Sequence, residues 1–280
     1  MARMKALSAS AFLLFIGLSA GLGRGAEPAG TVVFAHGMGV PYRLYEELSP
    51  VRRVFEERGY RFLVARTPTA GTLEGRAEAL AREVRRLVPE GLYHLVGHSM
   101  GGLDARLAIH AYDLGDRCRS LTTLATPHHG SALADFVVKT YDETLEVPQG
   151  ISDVLAMLGG DIREVRQLTT ARLKEFNREV KNDPRVDYYS VGFRIPRPVE
   201  AYAAIPVMWI AQRLHAAVGS PENDGPVSVE SSKWGTYMGT IEGDHWSETA
   251  PIPFGGRLIY LDVFGEVAGH LRRADRRRDR

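Results

Sequence analysis

The stretch Leu92-Tyr93-His94-Leu95-Val96-Gly97-His98-Ser99-Met100-Gly101-Gly102 is an apolar run that breaks into a glycine-rich turn around one serine. It reads as strand, sharp turn, helix. In the G-x-S-x-G pattern the turn is so tight that the residues two before and two after the serine must be small, and Gly97 and Gly101 meet that demand. The Ser99 hydroxyl is then expected at the carboxyl end of a buried strand, beside the amino end of the next helix.

Working outward, Thr31-Val32-Val33-Phe34-Ala35 is a continuous apolar run of the kind that suits a strand buried on both faces. Tyr45 to Arg58 reads as an amphipathic helix stopped by Gly59, Tyr60 to Ala65 as a second strand, and Leu73 to Val88 as a second helix. Downstream of Ser99, Leu103 to Tyr112 continues a helix and Ser120 to Ala125 forms another strand. Residues 132–181 carry helical segments without strands, including Ile151 to Leu158 and Ile162 to Val180, and read as an insertion. Val186 to Phe193 resumes the sheet and is followed by a helix over 201–218. Leu258 to Arg273 reads as a closing helix, although its first residues suit a strand equally well. This alternation predicts right-handed crossovers and an α/β fold: a mostly parallel central sheet with helices on both faces.

The chain's 280 residues suit one domain, placed at 26–280. A net charge of +1 excludes a strongly basic nucleic-acid binder, and the arginine-rich residues 271–280 are expected to be a solvated, frayed end. Cys118 is the only cysteine, so an intramolecular disulfide is impossible and an inert core position is expected. Residues 1–25 look like a signal peptide: Arg3 and Lys5, an apolar run from Ala11 to Leu18, then small residues that allow cleavage after Gly21 or Gly25. The apolar run is short against the roughly 20 residues a membrane span needs. A secreted protein, extracellular or periplasmic, without a stable transmembrane anchor in the mature chain is therefore expected.

A serine hydroxyl is a poor nucleophile unless a base takes its proton, normally a histidine held by a carboxylate. His245 follows Gly243-Asp244 in a polar loop near the end of the chain, which satisfies the order serine, acid, histidine. The acid is expected in the turn-rich Asn223-Asp224-Gly225, making Asp224 the choice over Asp187, inside a strand pattern, and Asp183, which precedes Pro184. Asp244 adjoins His245, and neighbours in sequence usually point apart. The oxyanion of ester hydrolysis needs two backbone N–H donors, expected from Met100, after the nucleophile, and Met38, in the His36-Gly37-Met38-Gly39 loop. His36 reads as a loop-ordering residue and His98 as packing beneath the turn.

Taken together, Ala35-His36-Gly37-Met38-Gly39, the segment from Gly97 to Arg106, Ala125 to Ser131, and Glu222-Asn223-Asp224-Gly225 resemble the lipase branch of the α/β-hydrolase superfamily. The similarity runs from about Thr31 to His245 and is strongest to bacterial secreted triacylglycerol lipases, with fungal-type features that include Lys233-Trp234-Gly235. It implies Ser99 as nucleophile, Asp224 as acid, His245 as base, Met38 and Met100 as oxyanion donors, and a lipid ester substrate at an oil-water interface. The helical insertion becomes a candidate lid, with apolar surface from Phe136, Val137, Val138, Val154, Leu155, Met157 and Leu158. No cofactor is expected. A structural calcium is in doubt, because Ser247 stands where many bacterial lipases place a ligating aspartate. A soluble short-chain esterase and a lipid acyltransferase are the alternatives on this fold; a non-catalytic binding module is disfavoured because no triad member is missing.

Overall fold

The computed structural model describes residues 30–39, 42–46, 49–144, 161–196 and 206–278, with isolated positions 149, 152 and 155. The expected leader over 1–25, most of the helix at 151–158 and the first residues of the helix at 201–218 lie outside the described residues.

The chain runs β1 (Gly30–Ala35), α1 (Tyr42–Glu46), α2 (Ser49–Glu56), β2 (Tyr60–Val64), α3 (Leu73–Leu87), β3 (Tyr93–His98) and α4 (Met100–Ala111). It continues with β4 (Cys118–Leu124), α5 (Ala132–Glu143), α6 (Ile162–Arg166), α7 (Thr170–Glu179), β5 (Asp187–Arg194) and α8 (Pro206–Ala217). Helix α9 (Val229–Ser232), β6 (Thr236–Glu242) and α10 (Tyr260–Arg278) complete it. The strands form one sheet in the order β2-β1-β3-β4-β5-β6, and every neighbouring pair is parallel.

Both faces of the sheet are covered. Because side chains alternate along a strand, Val32 and Phe34 face a core with Val51 and Phe55 of α2 and Val263, Phe264 and Leu271 of α10. Val33 and Ala35 face the opposite core, filled by Ala77, Leu80 and Val84 of α3 and Ala105, Ala108 and Ile109 of α4. Cys118 lies buried in this second core, and burial pushes its thiol up to about 12. A third cluster joins Met100 and Leu103 to Leu133, Ala134 and Val137 of α5 and Leu173 and Phe176 of α7, so the insertion is packed onto the amino end of α4. Beside it Arg106 is buried with its guanidinium 3.5 Å from the Trp234 ring and donating to Asn177 Oδ1.

Several elements differ from the sequence expectation. The helix expected over 45–58 is two helices, because Pro50 near the start of α2 has no N–H to give and would clash one turn back. Strand β6 was not expected at all. It is an edge strand whose residues are at best half-buried, and Gly239 interrupts its pattern. The chain's end is not frayed as far as Arg278: α10 runs five residues past Arg273, and Asp275 is buried. That carboxylate accepts from Tyr60 Oη at 2.6 Å, Arg119 Nη1 at 2.8 Å and His94 Nε2 at 3.2 Å, while His94 Nδ1 lies 2.8 Å from Ser120 Oγ. Arg278 adds an ion pair with Asp187.

Burial opposes ionisation of Asp275, but the hydrogen bonds from His94 and Tyr60 and the Arg119 guanidinium outweigh it and hold the carboxyl well below the usual range. A depressed carboxyl stabilises the fold above its unfolded pKa, near 4, and loses that contribution as pH falls toward the folded value. Replacing Asp275 with Asn is therefore expected to lower stability by about 3 kcal/mol at neutral pH, a fall in Tm on the order of 10 °C. Thermal unfolding from pH 7 downward would show the variant and wild type converging below about pH 3; parallel curves would refute the assignment.

Candidate active site

Three connections at the carboxyl edge of the sheet build the site. The first is the turn between β3 and α4. Ser99 has φ 53° and ψ −130°, a left-handed conformation that is strained for a residue with a side chain. Ser99 N–H donates to Leu124 O at 2.9 Å, and Ser99 O accepts from Gly102 N at 3.1 Å, so backbone on both sides holds the turn. The glycines serve close approach: a Cβ on Gly97 would fall 2.6 Å from Gly102 Cα, and one on Gly101 would fall 2.6 Å from His36 O. Without them neither β3 and α4 nor α4 and the loop after β1 could meet.

The second connection follows β5 and carries Asp224, which is fully buried. Asn223 Oδ1 accepts from Gly225 N at 3.0 Å, an Asx-turn, and Asp224 N donates to Val227 O at 3.0 Å. The third follows β6 and carries His245. Here Asp244 Oδ1 accepts from Trp246 N at 3.1 Å and Ser247 N at 3.0 Å, so its side chain closes the turn. The two loops are joined by His245 N donating to Asp224 O at 3.2 Å.

The side chains meet accordingly. Ser99 Oγ lies 2.9 Å from His245 Nε2, and His245 Nδ1 lies 2.7 Å from Asp224 Oδ2. With its N–H on Nδ1, His245 donates to the carboxylate and accepts from the serine hydroxyl. The other Asp224 oxygen accepts from Val227 N at 2.8 Å. Asp183 and Asp187 are elsewhere: Asp183 pairs with Arg185, and Asp187 begins β5 at the opposite edge of the sheet.

Met100 is the first residue of α4, and N–H groups in a helix's first turn have no acceptor within the helix. Met38 sits in the turn after β1, and both small cavities that flank Ser99 are lined by Met38, Ser99, His245 and Trp246. One, of about 60 Å³, extends to Tyr45, Ala250 and Ile252. The other, of about 40 Å³, is walled by Pro127, Leu168 and Val227, and by Leu133 and Ala134 of α5. The insertion thus borders Ser99, but of the apolar residues expected on a lid face Val137 is buried in the third core and Phe136 is exposed. Leu155 is buried in that same core, and Val154, Met157 and Leu158 lie outside the described residues.

His36 orders the loop that holds Met38. Its Nδ1 donates to Gly37 O at 2.8 Å and its Nε2 accepts from Thr67 Oγ1 at 3.0 Å, while burial lowers its pKa to about 4 and keeps it neutral. His98 is buried beside the triad, its ring 4.8 Å from that of His245. Donor atoms of His98, His245 and Glu248 lie within 4.8 Å of one another, but both His245 nitrogens are already engaged by Ser99 and Asp224.

Two residues of this scaffold carried no assigned role in the sequence reading. Arg76 of α3 and Asp104 of α4 are both fully buried, with Arg76 Nε donating to Asp104 Oδ2 at 2.9 Å. Arg76 Nη2 also donates to His36 O at 2.9 Å, and Nη1 donates to Pro68 O. One guanidinium therefore ties α3, α4 and the loop after β1. The available signal was a charged residue on the apolar stripe of each helix: Arg76 adjoins Ala77, and Asp104 lies between Leu103 and Ala105. Burial pushes the Asp104 carboxyl up to about 6, with Arg76 opposing it. Arg76→Met should lower stability by about 3–5 kcal/mol by stranding that carboxyl, and adding Asp104→Leu should recover most of the loss. Thermal unfolding of the single and double variants measures both, and a double variant no more stable than Arg76→Met would refute the pairing.

Comparison with known proteins agrees with this architecture. The chain matches the family described as "Alpha/beta hydrolase family" over residues 32–271. It is 35% identical over 211 residues to "Triacylglycerol lipase 2" of Saccharomyces cerevisiae, covering 70% of this chain and 59% of that protein, so the chain spans less than two thirds of that relative. In fold it is similar to a lipase of Bacillus licheniformis in mature form, with TM-score 0.66 and 21% identity over 87% of this chain and 93% of that one. A carboxyl esterase of metagenomic origin gives TM-score 0.65 and 21% identity over 88% and 74%. The match over most of the length and the parallel sheet with its serine turn have one reading: the chain belongs to the α/β hydrolase family.

Proposed function

We propose that the protein is a secreted carboxylic-ester hydrolase acting on acylglycerols, with Ser99 as nucleophile, His245 as general base and Asp224 as its orienting acid. The observation that carries this reading is the unbroken hydrogen-bonded chain from Ser99 Oγ through His245 to a buried Asp224. The relatives that bear the names triacylglycerol lipase and carboxyl esterase support the choice of ester as substrate.

In this mechanism Ser99 Oγ attacks the ester carbonyl as its proton moves to His245 Nε2, and Asp224 stabilises the imidazolium that forms. The negative charge on the former carbonyl oxygen is met by the N–H groups of Met38 and Met100, each worth about 10²–10³ in rate. His245 then returns the proton to the departing alcohol, leaving an acyl group on Ser99. Water, activated by the same histidine, releases it as the acid. None of these steps calls on a metal or cofactor. The Ser247 hydroxyl, at the position that put calcium in doubt, accepts from Asp244 N and donates to Asp244 O, and the proposal invokes no calcium.

The apolar walls of the two cavities suit an acyl chain on one side of Ser99 and the rest of the ester on the other, and α5 supplies part of one wall. The helical insertion expected over 132–181 is proposed as the lid, and α5 is one part of it that borders Ser99. Export is part of the proposal, and the mature protein should begin at Leu22 or Ala26; N-terminal sequencing of material recovered outside the cytoplasm checks this, and an intact Met1 there would contradict it.

A fluorophosphonate should label Ser99 alone, as shown by peptide mapping, and tributyrin should be cleaved faster as an emulsion than in solution. Ser99→Ala and Asp224→Asn should lower kcat on the order of 10⁴-fold or more with thermal stability near wild type. Labelling elsewhere, or full activity in Ser99→Ala, would sink the mechanism. Equal rates on dissolved and emulsified ester would instead favour a short-chain esterase, and ester products in the presence of a competing alcohol would favour an acyltransferase.

A further inference from the structure

Behind the triad, three residues beyond His245, lies a carboxyl group that the proposed reaction does not use. Glu248 is fully buried, its Oε2 is 3.2 Å from His98 Nε2, and its Oε1 has no hydrogen-bond partner among the described residues. The carboxyl is within the reach of Asp224, and Asp244 and the Tyr45 phenol also face it. A second carboxylate charge in this company would set like charges together away from water. Burial and the Asp224 charge push Glu248 well above the usual carboxylate range, and burial and the nearby His245 push His98 well below the usual imidazole range. Burial likewise raises the Tyr45 phenol to about 12. Each of these shifts favours the neutral form of its group.

The neutral forms suggest where the hydrogens lie. A neutral imidazole has one N–H. His98 Nδ1 has no hydrogen-bond partner among the described residues, and with the N–H on Nε2 His98 donates to Glu248 Oε2. The acid proton of Glu248 is then on Oε1, the atom otherwise left without a partner, and the acceptor facing that carboxyl is Asp224. A carboxylate oxygen has room for it, since Asp224 otherwise accepts one bond at each oxygen, from Val227 N and His245 Nδ1.

We propose that Glu248 is a positioning residue of the site, a neutral acid that takes the His98 N–H on one oxygen and donates its own proton to the Asp224 carboxylate from the other. It acts through Asp224, fixing the orientation in which that carboxylate holds His245, and it has no contact with the ester. The inference rests on the hydrolase reading above and deepens it.

The test uses two variants of the full chain in steady-state hydrolysis of p-nitrophenyl butyrate from about pH 5 to about pH 10. Glu248→Gln keeps the size, the acceptor and an N–H donor but cannot ionise. Glu248→Met keeps the volume and has neither donor nor charge. The Gln variant should retain kcat within about threefold and hold its activity to higher pH than wild type, in which ionisation of Glu248 places a second charge beside Asp224. The Met variant should lose on the order of tenfold in kcat at unchanged KM. Its acid limb should also move to higher pH, because an Asp224 relieved of one donor binds the His245 imidazolium more tightly. Wild-type profiles in both variants would overturn the proposal, and so would equal losses in both. If the Met variant does not fold, the Gln variant decides: an alkaline limb that coincides with wild type overturns the proposal. Failure of wild type to hydrolyse the ester would instead overturn the hydrolase reading itself.

Discussion

The backbone at Ser99 is the constraint on which the site depends. A left-handed serine between a strand and a helix is of order 1–3 kcal/mol above an ordinary conformation, and it persists only where its surroundings leave no alternative. Here those surroundings are Leu124 O and Gly102 N on the backbone and the near contact of β3, α4 and the loop after β1 through Gly97 and Gly101. The same closeness brings Met38 to the start of α4. The turn, the exposed Ser99 and the proposed oxyanion donors are thus consequences of one packing arrangement.

Around that turn the protein buries polar groups to a degree a simple apolar core would not need. Arg76, Asp104, His36, His98, Asp224 and Glu248 are almost inaccessible to water, and each has at least one hydrogen-bond partner. In so dry a setting an unmade hydrogen bond is expensive, which is why these groups fix geometry rather than merely fill space. The Arg76 guanidinium illustrates the point, since its three directions of donation leave α3, α4 and the loop after β1 little freedom to shift relative to one another.

Much of this was legible before any coordinates. Apolar runs announced β1 and β3, and the glycine spacing around Ser99 announced the turn. Asp224 and His245 could be placed by chain order, and the structure brings both to Ser99. What was hidden has physical reasons. An edge strand such as β6 covers no core with a regular alternation and so leaves no pattern to read. Pro50 breaks a helix whose apolar spacing alone looks continuous. The ordering of the basic end depends on Asp275 reaching Tyr60, His94 and Arg119, all more than 150 positions away in the chain. Glu248 is the clearest case: in sequence it is one charged residue in a polar loop, and only burial beside Asp224 distinguishes it.

The lone thiol of Cys118 leads somewhere different. It begins β4, in the interior of the sheet, and burial leaves it protonated at any physiological pH. A protonated, enclosed thiol does not react with alkylating reagents, so modification must wait until the strands around it separate. The molecule therefore carries its own clock for large-scale opening. Its rate of thiol capture reports on the middle of the sheet, independently of events at the Ser99 site on its edge.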